Sequence, residues 1–251
     1  MKITPGAEIV EVLGIPFANI TFGEALETLE TFLREPRNHI IVTPNPEGVM
    51  QARRNPDFAN ALRTADLSLA DGTGIVVATY LRARTNRLPE RVRGVDTTFA
   101  LFGRLNTERK TQHFTAYFLG GAPGVAELAK INMEARFPAL KVVGFHHGFF
   151  TPENEPAILA QINALAPEIL LVCMGMPRAE IWATRNRNIN TRLTLCVGGT
   201  IDIMAGTVKH APAFMRKIGL EWLWRLIRQP KRAARMLDIP RFVAAVLFRC
   251  G

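Results

Sequence analysis

Six short apolar runs, each ending in a loop rich in glycine, proline or polar residues, alternate along this chain with longer segments of helical periodicity. The apolar runs predict strands at 39–42, 67–70, 116–119, 142–145, 169–173 and 193–197. The remaining periodic segments predict helices at 22–34, 47–63, 73–83, 96–106, 124–136, 154–165 and 178–188. Strands that alternate with helices require crossover connections, so the sequence predicts an α/β fold with a Rossmann-like, mainly parallel sheet flanked by helices.

The composition indicates a protein with one folded core that resides in a reducing compartment. The chain has 251 residues, of which 48% are hydrophobic, and its mean hydropathy is +0.08. Its three cysteines are scattered and predict no disulfide framework. Its start lacks the apolar stretch of a signal peptide, and its apolar runs fall short of the ~20 residues that span a bilayer. We therefore expect a cytoplasmic protein that is not integral to a membrane.

The positive charge is concentrated at the end of the chain. Residues 208–251 contain ten lysines and arginines but two acids, a net charge of +8 out of +9 for the whole chain. We therefore divide the chain into an α/β catalytic domain at 1–207 and a basic, amphipathic helical appendage at 208–251. Such asymmetry predicts an anionic partner.

Several partners could match that basic segment. Arg225, Arg228, Arg232 and Arg235 have helical spacing interrupted by Pro230, and tryptophans lie beside them. Arginines and tryptophans on an amphipathic segment are typical of contact with an anionic membrane surface. The alternative is a terminal helix that packs on the domain and exposes a solvated basic face. Nucleic acid is not expected, because no recognised nucleic-acid-binding motif accompanies the charge.

Two loops after predicted strands carry polar groups suited to chemistry. Asp71 follows the second strand and precedes Gly72-Thr73-Gly74, so its carboxylate either caps the next helix or accepts a proton as a general base. Thr43-Pro44-Asn45-Pro46-Glu47 follows the first strand and is either an ordinary proline-rich turn or part of a sugar-binding cluster. If the two loops are neighbours, the second interpretation gains weight.

A glycine-rich turn follows the third predicted strand. Gly120-Gly121-Ala122-Pro123-Gly124 opens a predicted helix, the setting in which backbone N–H groups bind phosphate, although tight turn chemistry explains it equally well. It is not the G-x-G-x-x-G fingerprint of dinucleotide-binding folds. No metal-ligand spacing is present, so we expect no metal. Cys173 and Cys196 lie within apolar strands and are expected to be buried.

These motifs together resemble the WecG/TagA/CpsF family of glycosyltransferases. The resemblance runs from about residue 10 to residue 245 and rests on seven motifs in the family's order: Thr43-x-Asn45-x-Glu47, Ala70-Asp71-Gly72-x-Gly74, Arg91-x-x-Gly94-x-Asp96, Phe118-Leu119-Gly120-Gly121-x-Pro123-Gly124-Val125-Ala126, Gly175-x-Pro177-x-x-Glu180-x-Trp182, Gly198-Gly199-x-x-Asp202-x-x-Ala205-Gly206 and Gly219-Leu220-Glu221-Trp222-Leu223. The sequence departs from the family at Arg178-Ala179, where Lys-Gln is usual.

The resemblance implies an inverting, metal-independent transfer of a hexose from a UDP-sugar, which is a substrate and not a cofactor. The acceptor would be a saccharide linked through diphosphate to undecaprenol, and the product would serve cell-surface polysaccharide or teichoic acid synthesis. The donor sugar would be N-acetylmannosamine, its uronic acid or glucose. The enzyme would act in the cytoplasm, bound peripherally to the inner face of the cell membrane.

The resemblance also implies roles for individual residues. Asp71 would deprotonate the acceptor hydroxyl, Thr43 and Asn45 would shape the pocket, and Arg91 would contact phosphate or sugar. The UDP group would be held by Gly120, Gly121, Gly124 and Asp202. The diphosphate would be met by Arg225, Arg232 and Arg235, which would close over the site at the membrane.

Two other functions are compatible with parts of the sequence. A nicotinamide-dependent oxidoreductase would use the same fold class, but the dinucleotide fingerprint is missing. A basic nucleic-acid or lipid-binding module without catalysis would explain the appendage but would leave Asp71 a purely structural role. The oligomeric state stays open, and a homo-oligomer is compatible with the sequence.

Overall fold

A computed structural model describes residues 8–82, 86–109, 112–208 and 237–248. In chain order the elements are β1 (Ile9–Val12), β2 (Ile15–Ala18), α1 (Phe22–Arg34), β3 (His39–Val42), α2 (Pro46–Ala52), α3 (Pro56–Thr64), β4 (Leu67–Ser68), α4 (Thr73–Arg82), α5 (Gly94–Glu108), β5 (Phe114–Gly120), α6 (Val125–Arg136), β6 (Leu140–His146), α7 (Glu155–Leu165), β7 (Ile169–Cys173), α8 (Arg178–Arg185), β8 (Leu193–Cys196), α9 (Thr200–Met204) and α10 (Asp238–Phe248).

A parallel sheet of six strands forms the centre of the molecule, in the order β4-β3-β8-β7-β5-β6. Its register places Leu195 of β8 beside Ile41 of β3 on one side and Leu171 of β7 on the other. All of its strand pairs are parallel, so their carboxyl ends meet at one edge. The predicted Rossmann-like α/β fold is confirmed, although the strand order differs from that of the dinucleotide-binding fold.

Helices cover both faces of the sheet because its strands are apolar on both sides. Along β5, Phe118 packs with α1, α5, α6 and α9, whereas the adjacent Leu119 packs with the helices of the other face. The second face is covered by α2, α3, α4, α7, α8 and α10. The buried strands are therefore nearly continuous hydrophobic runs, which is why they were recognisable in the sequence.

The structure differs from the predicted elements in two places near the beginning of the chain. The antiparallel pair of β1 and β2 was not predicted; it is a separate two-stranded sheet. The single helix predicted at 47–63 is wrong, because two helices occupy that segment. Asn55 adopts an extended conformation before Pro56, and its side chain accepts a hydrogen bond from the N–H of Phe58, so a second helix begins there.

The last described helix packs on the body of the domain. Phe242 on α10 is buried in the same apolar cluster as α2 and α4. Arg54, two residues after the end of α2, donates from both Nη atoms to the Asp238 carboxylate, at 2.9 and 2.5 Å. This pair holds the start of α10 against α2 and keeps the pKa of Asp238 below its usual value. The domain boundary at 207/208 remains a prediction.

Among the described residues, no helix combines the length and the apolar character needed to cross a bilayer.

Candidate active site

The candidate active site is at the carboxyl edge of the sheet, where the loops after neighbouring strands meet. The loop after β4 contains Asp71, and the loop after β3 contains Thr43 and Asn45. The loop after β8 leads to Asp202, and the glycine-rich loop follows β5. Each of these predicted residues therefore lies at the same edge of one sheet, as expected for a ligand site in an open α/β fold.

Asp71 lies where two strand-end loops and a helix N-terminus meet. Its N–H donates to the carbonyl of Pro44 at 3.3 Å, which joins its loop to the Thr43 loop. Its half-buried carboxylate accepts a hydrogen bond from the N–H of Gly94, the first residue of α5, at 3.3 Å. The two loops are therefore neighbours, which favours the interpretation of the Thr43 loop as part of a polar, sugar-binding cluster. The negative charge at the start of α5 is also favoured by the helix dipole.

Thr43 packs directly against that helix N-terminus. A β-carbon placed on Gly94 would lie 2.9 Å from the Thr43 hydroxyl oxygen, so only glycine fits there without displacing Thr43. The Thr43 hydroxyl is buried and donates to the carbonyl of Cys196 at 3.1 Å. The hydroxyl proton is therefore engaged in a hydrogen bond within the protein, and the Cys196 carbonyl of β8 fixes the orientation of the hydroxyl.

Asn45 has a structural task of its own. Its side-chain oxygen accepts the N–H of Gly48 at 2.8 Å and so caps α2, with Pro46 at the first helical position. For Asn45 Oδ1, the interpretation of this loop as an ordinary proline-rich turn is thus correct. Because the helix cap uses the Oδ1 atom of Asn45, the side-chain amide nitrogen is the group of this residue that could bind a sugar.

A backbone hydrogen bond places Arg91 near the Asp71 loop. The N–H of Val92 donates to the carbonyl of Ala70 at 3.0 Å, so Arg91 lies beside the residue that precedes Asp71. Arg91 is half-buried. The neighbouring Arg93 is buried and forms an ion pair with Asp96 at 2.8 Å.

The glycine-rich loop has a shape that requires glycine. Gly120 has a φ of +150°, and a β-carbon there would lie 2.5 Å from the carbonyl oxygen of Cys173. Gly124 is at the N-cap of α6 and makes no side-chain cap. The N-terminus of α6 therefore opens toward the carboxyl edge with backbone N–H groups, an arrangement that suits an anion.

Asp202 is on the short helix α9, whose first turn packs beside this loop. The Cγ2 atom of Ile201 would be 3.6 Å from a β-carbon on Gly121, and one carboxylate oxygen of Asp202 would be 3.4 Å from a β-carbon on Gly199. The start of α9 thus packs against the glycine-rich loop, and the role of Asp202 in holding the UDP group remains a prediction.

The thiols near this edge are not nucleophiles. Burial, together with the nearby charge of Asp202, raises the pKa of Cys173 to about 12. Burial also raises the pKa of Cys196 well above its usual value. Both thiols stay protonated at neutral pH, which confirms the prediction that they are buried apolar groups.

Three predicted site residues, Arg225, Arg232 and Arg235, lie outside the described residues, so their roles remain predictions. Within the part of the chain that the structure describes, no three His, Cys, Asp or Glu side chains come together as metal ligands.

Glu180 is a buried acidic residue that was not predicted as part of the site. Glu180, in the first turn of α8, is 2% exposed, and its Oε2 atom has no hydrogen-bond partner among the described residues. Burial raises its pKa to about 7. The sequence singled it out only as part of the Gly175 to Trp182 motif. Ala179, where the sequence departs from the usual glutamine, is fully buried beside it.

Comparison with known proteins shows the family of this chain. The model of the glycosyl transferase WecG/TagA/CpsF family matches residues 10–250. An N-acetylglucosaminyldiphosphoundecaprenol N-acetyl-β-D-mannosaminyltransferase of Bacillus spizizenii strain W23 is 32% identical over 228 residues, which is 90% of this chain and 85% of the relative. An enzyme of the same name from Staphylococcus aureus strain MRSA252 is 30% identical over 237 residues, or 93% of this chain and 90% of the relative. The chain therefore belongs to the WecG/TagA/CpsF family of glycosyltransferases.

Proposed function

We propose that this chain transfers a hexose from a UDP-sugar to a saccharide linked through diphosphate to undecaprenol, with inversion at the anomeric carbon and without a metal. The observation that carries the proposal is the position of Asp71, whose carboxylate is at the carboxyl edge beside Thr43 and the start of α5. The names of the relatives make N-acetylmannosamine the first donor sugar to test and diphosphoundecaprenol-linked N-acetylglucosamine the first acceptor. The uronic acid and glucose remain the other donors.

The chemistry needs one base and a charged leaving group. A carboxylate oxygen of Asp71 takes the proton of the acceptor hydroxyl, and the hydroxyl oxygen forms a bond to the anomeric carbon of the donor. The bond between that carbon and the UDP oxygen breaks, and UDP departs with the electron pair. Because attack and departure occur on opposite sides of the carbon, the configuration inverts.

The order of the strands supports such a donor. In the sheet order, Asp71 follows β4, Asp202 follows β8 and the Gly120 to Gly124 loop follows β5. The first and last of these loops are four strands apart, or ~19 Å at the ~4.8 Å spacing of neighbouring strands. An extended nucleoside diphosphate sugar would cover this span, with UDP toward the glycine-rich loop and Asp202 and the sugar toward Asp71.

The charge of departing UDP must be balanced by the chain if no metal takes part. Arg91 lies at the Asp71 end of the edge, and the N–H groups of α6 lie at the other end. The family resemblance adds Arg225, Arg232 and Arg235, whose planar guanidinium groups suit phosphate oxygens. We propose that the basic segment 208–251 brings these arginines to the diphosphate while the enzyme is bound to the inner face of the cell membrane.

The test is release of UDP from a panel of UDP-sugars in the presence of a short-chain prenyl-diphosphate-linked N-acetylglucosamine. We expect release that depends on acceptor, persists after treatment with a chelator, and falls by about 10²- to 10⁴-fold in Asp71→Asn. Asp57→Asn is the matched control, because Asp57 is an exposed carboxylate on α3. The anomeric configuration of the product, determined by NMR, tests inversion.

Full activity in Asp71→Asn would refute its role as the base. Oxidation of a substrate with reduction of a nicotinamide would support the competing oxidoreductase, and binding of UDP without any transfer would support a binding module.

A further inference from the structure

Exposed apolar side chains are concentrated on two helices. Among the described residues, fourteen large hydrophobic side chains are exposed, and seven of them lie on α4, on α10 or at the residue before α10. These seven are Val77, Tyr80, Leu81, Leu237, Val243, Leu247 and Phe248. The two helices make up about a tenth of the described residues, so this concentration is well above what scattered exposure of single side chains would give.

Helix α4 is apolar on two sides. Its inner side buries Ile75 and Ala78 in the core, as any helix on a sheet does. Its outer side carries Val77, Tyr80 and Leu81, which are 46%, 50% and 60% exposed and have the spacing of one helical stripe. A helix that faces water on its outer side ordinarily carries polar residues there.

Helix α10 repeats the arrangement. Phe242 and Val246 are buried against α2 and α4, whereas Val243 and Leu247 are exposed on its other side. The two helices pack against each other, and we name their exposed apolar residues together the α4/α10 face.

The α4/α10 face adjoins the candidate base. Helix α4 begins two residues after Asp71. A β-carbon on Gly74 would be 2.9 Å from Pro46 of α2 and 3.9 Å from the Phe242 ring of α10. Helices α2, α4 and α10 therefore meet beside the Asp71 loop, and a molecule that reached Asp71 from this side would pass the α4/α10 face.

Arginines border the same surface. A groove of about 480 Å³ beside α10 is lined by apolar Met50 and Phe248 and by Arg53, Arg54 and Arg241. One acid, Asp238, pairs with two of these arginines, so the border keeps a net positive charge. Arginines bury their methylene stems along apolar surface while their charged ends meet anionic groups.

This combination favours a lipid bilayer over a second copy of the chain. Two copies joined through this face would bring their positive borders together, which opposes association. An anionic bilayer offers phosphates to the arginines and an apolar layer to the exposed helix stripes.

We infer that the α4/α10 face is a membrane-contacting surface and that α4, a helix of the sheet domain itself, supplies three of its seven exposed apolar side chains. The inference rests on the proposed function only in that a lipid-linked acceptor requires a membrane. It extends the proposed membrane contact of segment 208–251, in which α10 lies, to a helix of the sheet domain. This added contact holds the Asp71 loop at the level of the headgroups, where the acceptor's diphosphate lies.

The test measures partition of the full chain onto vesicles made of equal parts phosphatidylcholine and phosphatidylglycerol. We expect Leu81→Glu to lower the partition coefficient about tenfold and Leu81→Ala to lower it by a smaller factor, because apolar contact is lost in both and charge repulsion is added in the first. Ile131→Glu on α6 is the matched control, since Ile131 is 58% exposed on another helix, and it should partition like the unaltered protein.

Thermal unfolding of each variant verifies that the fold is intact. Unchanged partition of Leu81→Glu would overturn the inference, and so would a change in oligomeric state without a change in partition, which would assign the face to contact between copies. Partition needs no turnover, so failure of the transferase assay would leave this result standing, and the two proposals can fail separately.

Discussion

Gly94 and Thr43 are in such close contact that any side chain at position 94 would displace the Thr43 hydroxyl. A β-carbon at Gly94 would be 2.9 Å from Thr43 Oγ1 and 3.0 Å from its Cγ2 atom. Because the Gly94 N–H also bonds the Asp71 carboxylate, one glycine sets the positions of two candidate site residues. The start of α5 is thus part of the site although it bears no functional side chain there.

We expect Gly94→Ala to destabilise the protein by about 1–3 kcal/mol, the usual cost of overpacking, and to lower turnover sharply because Thr43 and Asp71 shift. Gly103→Ala in the same helix is the control. Its β-carbon would meet only Phe137, at 4.0 Å, so helix propensity predicts a gain of about 1 kcal/mol. Urea unfolding and UDP release measure the two effects, and equal activity in both variants would contradict this account.

The two asparagine caps allow the structural and the binding role of Asn45 to be separated. Asn45 and Asn55 each cap a helix that begins with proline, so alanine at either position should cost about 1 kcal/mol. Asn45 alone lies at the candidate site. We expect Asn45→Ala to lose much more activity than Asn55→Ala at a similar loss of stability.

Asn45→Asp adds a further comparison, because aspartate keeps the cap and removes the amide nitrogen. Stability near that of the unaltered protein with low activity would show that the nitrogen binds substrate. Parallel losses of activity in Asn45→Ala and Asn55→Ala would mean that Asn45 is a cap alone.

Glu180 should make stability depend on pH. Burial raises its pKa in the folded protein to about 7, whereas the usual value is 4.5. Below pH 4.5 the carboxyl is protonated in both states, and its contribution is constant. As pH rises through the window from 4.5 to 7 the unfolded state ionises first, so stability falls, by an amount on the order of 3 kcal/mol.

Glu180→Gln removes this dependence. The difference in the free energy of unfolding between the variant and the unaltered protein should shift in favour of the variant between pH 5 and pH 8. The difference, taken from urea unfolding at both pH values, cancels the titration of other groups. A constant difference would show that Glu180 has an ordinary pKa.

The fold could be predicted because its strands are buried on both faces. Runs such as Ile169–Cys173 are apolar at every position, and a strand of that kind is recognisable without knowledge of its neighbours. The order of those strands was not predictable, because it depends on which crossover packs against which face. The hairpin of β1 and β2 was missed, since its strands have four residues each.

The candidate site could be predicted where the type of a residue suggests its chemistry. It could not be predicted where the role of a residue depends on a contact with another part of the fold. Asp71 and the Thr43 loop followed from their positions at strand ends. Gly94 was noted only as part of a motif, because the tightness of its contact with Thr43 depends on how α5 meets β3. Glu180 was missed as well, since a glutamate in a helix is ordinarily solvated, and its burial comes from how α8 packs on the sheet.

The pairing of Arg54 with Asp238 has a consequence for how the protein is made. The two residues are separated by 184 positions, and the helix that begins at Asp238 packs beside the Asp71 loop. A ribosome releases the chain from its amino end, so the sheet can assemble while α10 is still being synthesised. The wall beside the candidate base is therefore completed only after residues 238–248 have been synthesised, and a chain cut short before residue 238 would expose that part of the core to water.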